Sequence, residues 1–129
     1  MTQHLEPTSE KVVWTGRVLG GLAVLVFTAR AVMKLVKPAD FDEGMQHLGW
    51  AATKANGLAV LELACAALYV IPRTAVLGAI LLTGYLGGAI ATHVRVDDDV
   101  LIQPLLGVLL WLGLWLRDRR LRELLPLVR

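Results

Sequence analysis

Four apolar stretches separated by short polar connectors limit what this chain can fold into more than any motif does. From Val12 to Val36, VVWTGRVLGGLAVLVFTARAVMKLV carries charge only near its ends, at Arg17, Arg30 and Lys34, where long side chains snorkel to an interface. The second stretch runs from about Trp50 to Ile71, and its Ala55 to Ile71 part holds one formal charge, Glu62, near the middle. The third, Thr74 to Val94, is apolar all round except for Tyr85 and His93. The fourth runs uncharged from about Val100 to Leu116 and tolerates Pro104 in its first turn. A helix needs about 20 residues to span a bilayer, so four spans and their connectors use nearly all of the 129 residues as one domain, 1–129. A soluble four-helix bundle needs a polar face on each helix, and the third and fourth stretches offer none. The expected fold is therefore all-α, a four-helix transmembrane bundle.

Composition agrees, since 56% hydrophobic residues and a mean hydropathy of +0.60 exceed the roughly 45–50% apolar content of an ordinary soluble domain. The connectors carry the breakers: KPADFDEGMQHLG, from Lys37 to Gly49, reads as a loop or interfacial turn. Pro72 and Arg73 form a tight connection that makes the second and third helices an antiparallel hairpin, and RVDDD closes the third helix. The polar segment Met1 to Lys11 precedes an apolar run too long for a signal-peptide core and without a small-residue cleavage site, so it reads as leading into an uncleaved first span.

Net charge is only +2, but its distribution orients the chain. Alternating spans put Lys11, Arg17, Arg73, Arg117, Arg119, Arg120, Arg122 and Arg129 on one side. They put Arg30, Lys34, Lys37, Lys54 and Arg95 on the other, with the acids Asp40, Asp42, Glu43, Asp97, Asp98 and Asp99. By the positive-inside bias both termini face the cytoplasm. Trp14, Tyr69 and Trp115 then belong to an inner aromatic belt and Trp50 to an outer one. The basic tail reads as a solvated segment facing anionic lipid, and no basic face interleaved with aromatics suggests a nucleic-acid partner. Gly16 with Gly20, and Gly84 with Gly88, are small residues four apart that let helices approach closely, expected here within the chain rather than between copies.

Ionisable residues at membrane depth carry the functional signal. Glu62 lies about 16 Å from the outer end of the second helix and Tyr85 about 14 Å from that of the third, at about 1.5 Å per residue, so a Tyr85 hydroxyl to Glu62 carboxylate contact is expected. Lys34, Lys54, Asn56, Thr92, His93 and Arg95, with Arg30, cluster toward the outer mouth, while the inner half has little beyond Thr15, Arg17 and Thr74. A polar cavity opening outward, with Glu62 at its floor, follows. Glu62 equally suits a structural counter-ion of Lys34, Lys54 or Arg30, and His93 a simple cap of the third helix. His47 and His93 share no helical spacing with a second ligand, so no metal site is expected. No nucleophile elbow or phosphate-binding loop is present, and Cys65, the single cysteine, is expected to pack as a small hydrophobe.

The run ELACAALYVIPRTAVLGAILLTGYLGGAIATHVRV, Glu62 to Val96, resembles the DoxX-like membrane proteins of bacteria. The likeness lies in the acid of the second helix, the IPRT hairpin and the YLGGAxAxHxR pattern, with VMKL and the tail LWLRDRRLRELLP adding to it. The resemblance implies a multi-pass inner-membrane protein. The family name comes from a subunit associated with a terminal quinol oxidase and thiosulfate oxidation, its relatives are tied to redox or oxidative-stress complexes, and the function of this branch is mostly open. With no haem-ligating histidine pair within its spans and no cysteine pair, the chain itself is not expected to be a haem or dithiol centre. Three function classes stay open. The first is a non-catalytic subunit holding a quinone-like or other lipid ligand, beside a membrane redox complex or as a homo-oligomer. The second is a membrane enzyme acting on a small lipophilic substrate with Glu62 and His93 as acid and base. The third is a proton-coupled transporter with Glu62 as its proton site.

Overall fold

The computed structural model describes residues 9–124 apart from the side chain of Ala52; residues 1–8 and 125–129, Arg129 among them, lie outside the described residues. Those described are helical, without a strand, in the order α1 (Glu10–Val36), α2 (Phe41–His47), a 3-10 turn (Ala52–Lys54), α3 (Ala55–Val70), α4 (Ala75–Arg95), α5 (Ile102–Arg117) and α6 (Arg119–Leu124). Local chemistry sets the ends. The α1 helix stops at Lys37, which takes the left-handed conformation (φ 55°) and donates its N–H to the Met33 carbonyl; Pro38 then bars continuation. Likewise α3 stops at Ile71, which is extended (φ −75°, ψ 121°) because Pro72 disfavours helix in the residue before it. The Thr74 hydroxyl donates to the Leu68 carbonyl at 2.8 Å and ties the turn between α3 and α4.

The connector read as a loop contains α2. Asp42 and Glu43 occupy its first turn and His47 its last, which complements the helix dipole, and Met45 is its one buried side chain. Two contacts fasten it to the far end of α4: Arg95 donates from Nη2 to the Leu48 carbonyl at 2.6 Å. His47 Nε2 sits 2.9 and 3.0 Å from the two carboxylate oxygens of Asp98. Gly49 follows with φ +79°, and the Arg95 guanidinium occupies the space a β-carbon would need. The regular helix of the second stretch therefore begins at Ala55 rather than at Trp50.

Among the described residues, α1 packs against α3 and α5, α3 against α4, and α4 against α5, closing a cycle of the four longer helices. Phe27, Tyr69, Leu82, Leu110 and Leu114 fill its centre, with Cys65 packed as an apolar side chain. Tyr69 is not at an aromatic boundary: it is 0% exposed, and its hydroxyl donates to the Leu110 carbonyl at 2.7 Å, because a buried phenol needs a polar partner. Trp14 and Trp50 are exposed. At the seam of α1 and α5, a β-carbon on Gly113 would stand 2.6 Å from the Gly20 nitrogen, so Gly16 and Gly20 serve contact within the chain. Gly84 and Gly88 do not: a β-carbon on either meets nothing within 4 Å.

Many outward-facing positions of the four longer helices are apolar. Leu25 is 64% exposed, and Val18, Leu22, Leu77, Ile80, Leu105 and Val108 are exposed with it. Contiguous apolar surface of this kind marks a lipid or partner interface in a folded protein. The α1 and α4 helices are each long and apolar enough to cross a membrane, whereas α3 and α5, apolar and 16 residues each, reach about 24 Å.

Candidate functional site

Glu62 is the most constrained polar side chain of the fold. It stands on the inward face of α3 at 0% exposure, between Ala59 and Cys65, both also buried. A bare carboxylate in such surroundings is strongly unfavourable and persists only with a counter-charge or donors. Both are present: its Oε2 accepts from Lys34 Nζ at 2.5 Å and from the Tyr85 hydroxyl at 3.1 Å. One oxygen thus ties α1, α3 and α4 together. Of the three cations that suit a counter-ion by sequence, Lys34 takes the role, 13% exposed against 0% for its partner, while Lys54 is exposed. Tyr85 is fixed from two sides, with the edge of Phe27 at 6.5 Å between ring centroids and the Lys34 ammonium 5.8 Å from its own. The second carboxylate oxygen, Oε1, is buried with no hydrogen-bond partner, which in a native interior calls for a water or ligand donor.

Lys34 and Tyr85 separate Glu62 from a cavity of about 350 Å³ beside the last turns of α1. Arg30 and Lys34 supply one wall. Gly84, Tyr85, Gly88, Ala89, Thr92 and His93 of α4 supply another. Met45, Leu48 and Trp50 of the connector, with Leu58 of α3, complete the lining. The room exists because Gly84 and Gly88 carry no side chains, which gives that pair its structural reason. The wall is largely apolar, with Arg30, Lys34, Tyr85, Thr92 and His93 bringing nitrogen and hydroxyl groups.

The structure brings five of the residues singled out from the sequence to this cavity: Arg30, Lys34, Tyr85, Thr92 and His93, with Glu62 directly behind Lys34 and Tyr85. Lys54 and Asn56 are exposed and do not line it. Arg95 acts from outside, holding the Leu48 carbonyl. His93 Nδ1 lies 2.7 Å from the Ala89 carbonyl one turn back and donates to that oxygen, which can only accept. No hydrogen bond joins His93 to Glu62 among the described residues.

Sequence reasoning missed Gln103, which is 4% exposed, has its Nε2 3.5 Å from His93 Nδ1, and buries an Oε1 without a partner. The available signal was an amide inside an otherwise apolar stretch. Met45 and Leu48 were missed because they sit in a connector that gave no helical pattern. Among the described residues no group of three or more His, Cys, Asp or Glu is close enough to hold a metal ion.

A buried ion pair beside a largely apolar cavity, in a chain whose described residues are helical with much of their exterior apolar, defines a small membrane protein with a candidate binding site. The model of the DoxX-like family matches residues 18–116, and the chain belongs to that family. No curated protein and no solved structure matches it.

Proposed function

We propose that this protein crosses the bacterial inner membrane four times as a single domain with both termini in the cytoplasm. In this reading it holds, in the cavity beside Lys34 and Tyr85, a lipophilic ligand bearing acceptor oxygens, quinone-like in its chemistry, and works as a non-catalytic subunit of a membrane redox assembly. The observation that carries the reading is the cavity: about 350 Å³, within the roughly 300–1,000 Å³ of small-molecule sites. Its apolar walls suit a hydrocarbon body, and the donors of Arg30 and Lys34 suit a carbonyl or ester oxygen. Glu62 then sets the positions of Lys34 and Tyr85 and takes no part in chemistry. An acid and base pair is the weaker reading, because Glu62 is sealed behind the residues that bind it whereas His93 stands on the wall.

Mass spectrometry of the purified protein is expected to find a co-purifying quinone or other lipid at near-stoichiometric level. Gly88→Leu, placed where a side chain meets only open space, is expected to lower that level at least tenfold while leaving the unfolding transition in place. An empty wild-type protein, or a Gly88→Leu variant that keeps its ligand, sinks the binding role. Topology has its own check: single cysteines introduced beside Arg73 and at Asp99, in a chain with Cys65 replaced by Ala, are expected to label from the cytoplasmic and the outer side respectively. Labelling of both from one side rules out four spans.

A further inference from the structure

We propose that the opposite end of the bundle carries a second binding site, a pocket for the phosphate group of an anionic phospholipid. A cavity of about 530 Å³ lies where the start of α1, the turn between α3 and α4 and the end of α5 converge. Arg17, Arg73, Arg117, Arg119 and Arg120 line it against a single carboxylate, Asp118. Four of these arginines fall outside residues 18–116, the part that the family accounts for.

The cations are placed for an anion. Arg117 is held in advance: its guanidinium lies 4.6 Å from the Tyr69 ring centroid, and its Nη2 donates to the Tyr69 carbonyl at 3.4 Å. Gly20 makes the space, since a β-carbon there would come within 2.8 Å of Arg117 Nη1. Arg119 is partly engaged by Glu123 at 3.6 Å. Arg17, Arg73 and Arg120 form no ion pair among the described residues, and Arg17 is steadied over the Trp14 ring at 5.2 Å. Asp118 accepts from the Arg120 backbone N–H at 2.9 Å, which turns part of its capacity inward. Guanidinium groups are matched in shape to phosphate oxygens, to which they donate in pairs.

The choice of a lipid follows from the rest of the lining. Val13, Val70 and Leu114 form an apolar wall beside the arginines, and Val70 is 59% exposed on the outside of the helices. A free phosphate ion uses none of that wall. A phospholipid sets its phosphate among the arginines and runs an acyl chain along the valines, at the end of the bundle that the positive-inside bias turns toward anionic lipid. This site stands apart from the first cavity, so either proposal can fail alone.

The test is native mass spectrometry of the full chain offered phosphatidylglycerol or phosphatidylcholine. Phosphatidylglycerol is expected to be retained at least tenfold better. The variant Arg17→Gln, Arg73→Gln, Arg120→Gln is expected to lose about fivefold per arginine, roughly a hundredfold in all, with unchanged unfolding and unchanged content of the first cavity. Equal retention of the two lipids, or a variant that holds phosphatidylglycerol like the wild type, overturns the proposal. Inorganic phosphate is titrated in lipid-free detergent as a separate arm; arginine-dependent binding there without any preference for phosphatidylglycerol overturns the lipid as the source and leaves a soluble phosphate. Should the triple variant fail to fold, Arg73→Gln with Arg120→Gln, both at exposed positions, carries the same test at roughly twenty-fivefold.

Discussion

Replacing Lys34 with Met is expected to lower the unfolding free energy by about 3–5 kcal/mol, read from detergent-to-SDS unfolding followed by circular dichroism. The reason is asymmetric burial. Glu62 is 0% exposed and Lys34 13%, so deleting the lysine leaves a carboxylate with only the Tyr85 hydroxyl at 3.1 Å to answer its charge. Deleting the charge on the other side, with Glu62→Gln, is expected to be milder, because the lysine stem is long enough to carry its ammonium toward the interface. The double variant Lys34→Met, Glu62→Leu is expected to recover most of the loss, since an apolar replacement of a buried pair is often neutral or stabilising. Strict additivity of the two single changes would show that the pair is not coupled, and the stitching of α1, α3 and α4 through one oxygen would have to be abandoned. The double variant also separates stability from binding: folded but empty, it assigns the pair to the ligand.

The parts of this molecule that were legible in the sequence are those encoded by neighbours along the chain. Four apolar runs mark the four longer helices, and Pro38 and Pro72 mark where α1 and α3 end. The hydrogen bond from Tyr85 to Glu62 was also legible, because a hairpin with a two-residue breaker equates depth on one helix with depth on the other. What depth cannot give is azimuth. It brought Lys54 and Asn56 to the same mouth as Lys34, yet both are exposed and away from the cavity. The same limit hid the purpose of Gly84 and Gly88: their spacing signals close approach, and only the fold reveals that no helix fills the space they leave. Tyr69 was assigned to a boundary by its position near a helix end, but Leu110, 41 residues away, supplies the carbonyl that lets it be buried. The arginine pocket was least legible of all, since its walls come from residues 13–17, 70–75 and 114–120; as a string, Arg117, Arg119 and Arg120 read as part of a solvated tail, apart from Arg17 and Arg73.

Gly113→Val is expected to destabilise the protein by about 3 kcal/mol, the upper end of the overpacking range, and to do so by prising α5 from α1. A β-carbon at Gly113 would lie 2.6 Å from the Gly20 nitrogen, 2.9 Å from the Gly16 oxygen and 3.0 Å from the Gly20 α-carbon. All three are backbone atoms, so no rotamer change relieves the clash, and the helices must separate along this seam. Gly87→Ala is the matched control. It meets nothing within 4 Å and is expected to be neutral or to stabilise by up to about 0.5–1 kcal/mol through helix propensity. Gly113→Val adds three carbons and Gly87→Ala one, but each places a β-carbon on a glycine within an apolar helix, and the two sites differ in whether a neighbouring helix already occupies the space of that β-carbon. A Gly113→Val variant that unfolds like the wild type would mean that α1 and α5 do not pack through their glycines. Because Gly20 also makes room for the Arg117 guanidinium, the same separation is expected to loosen Arg117 from Tyr69 and to lower phosphatidylglycerol retention together with stability, whereas Gly87→Ala leaves both in place.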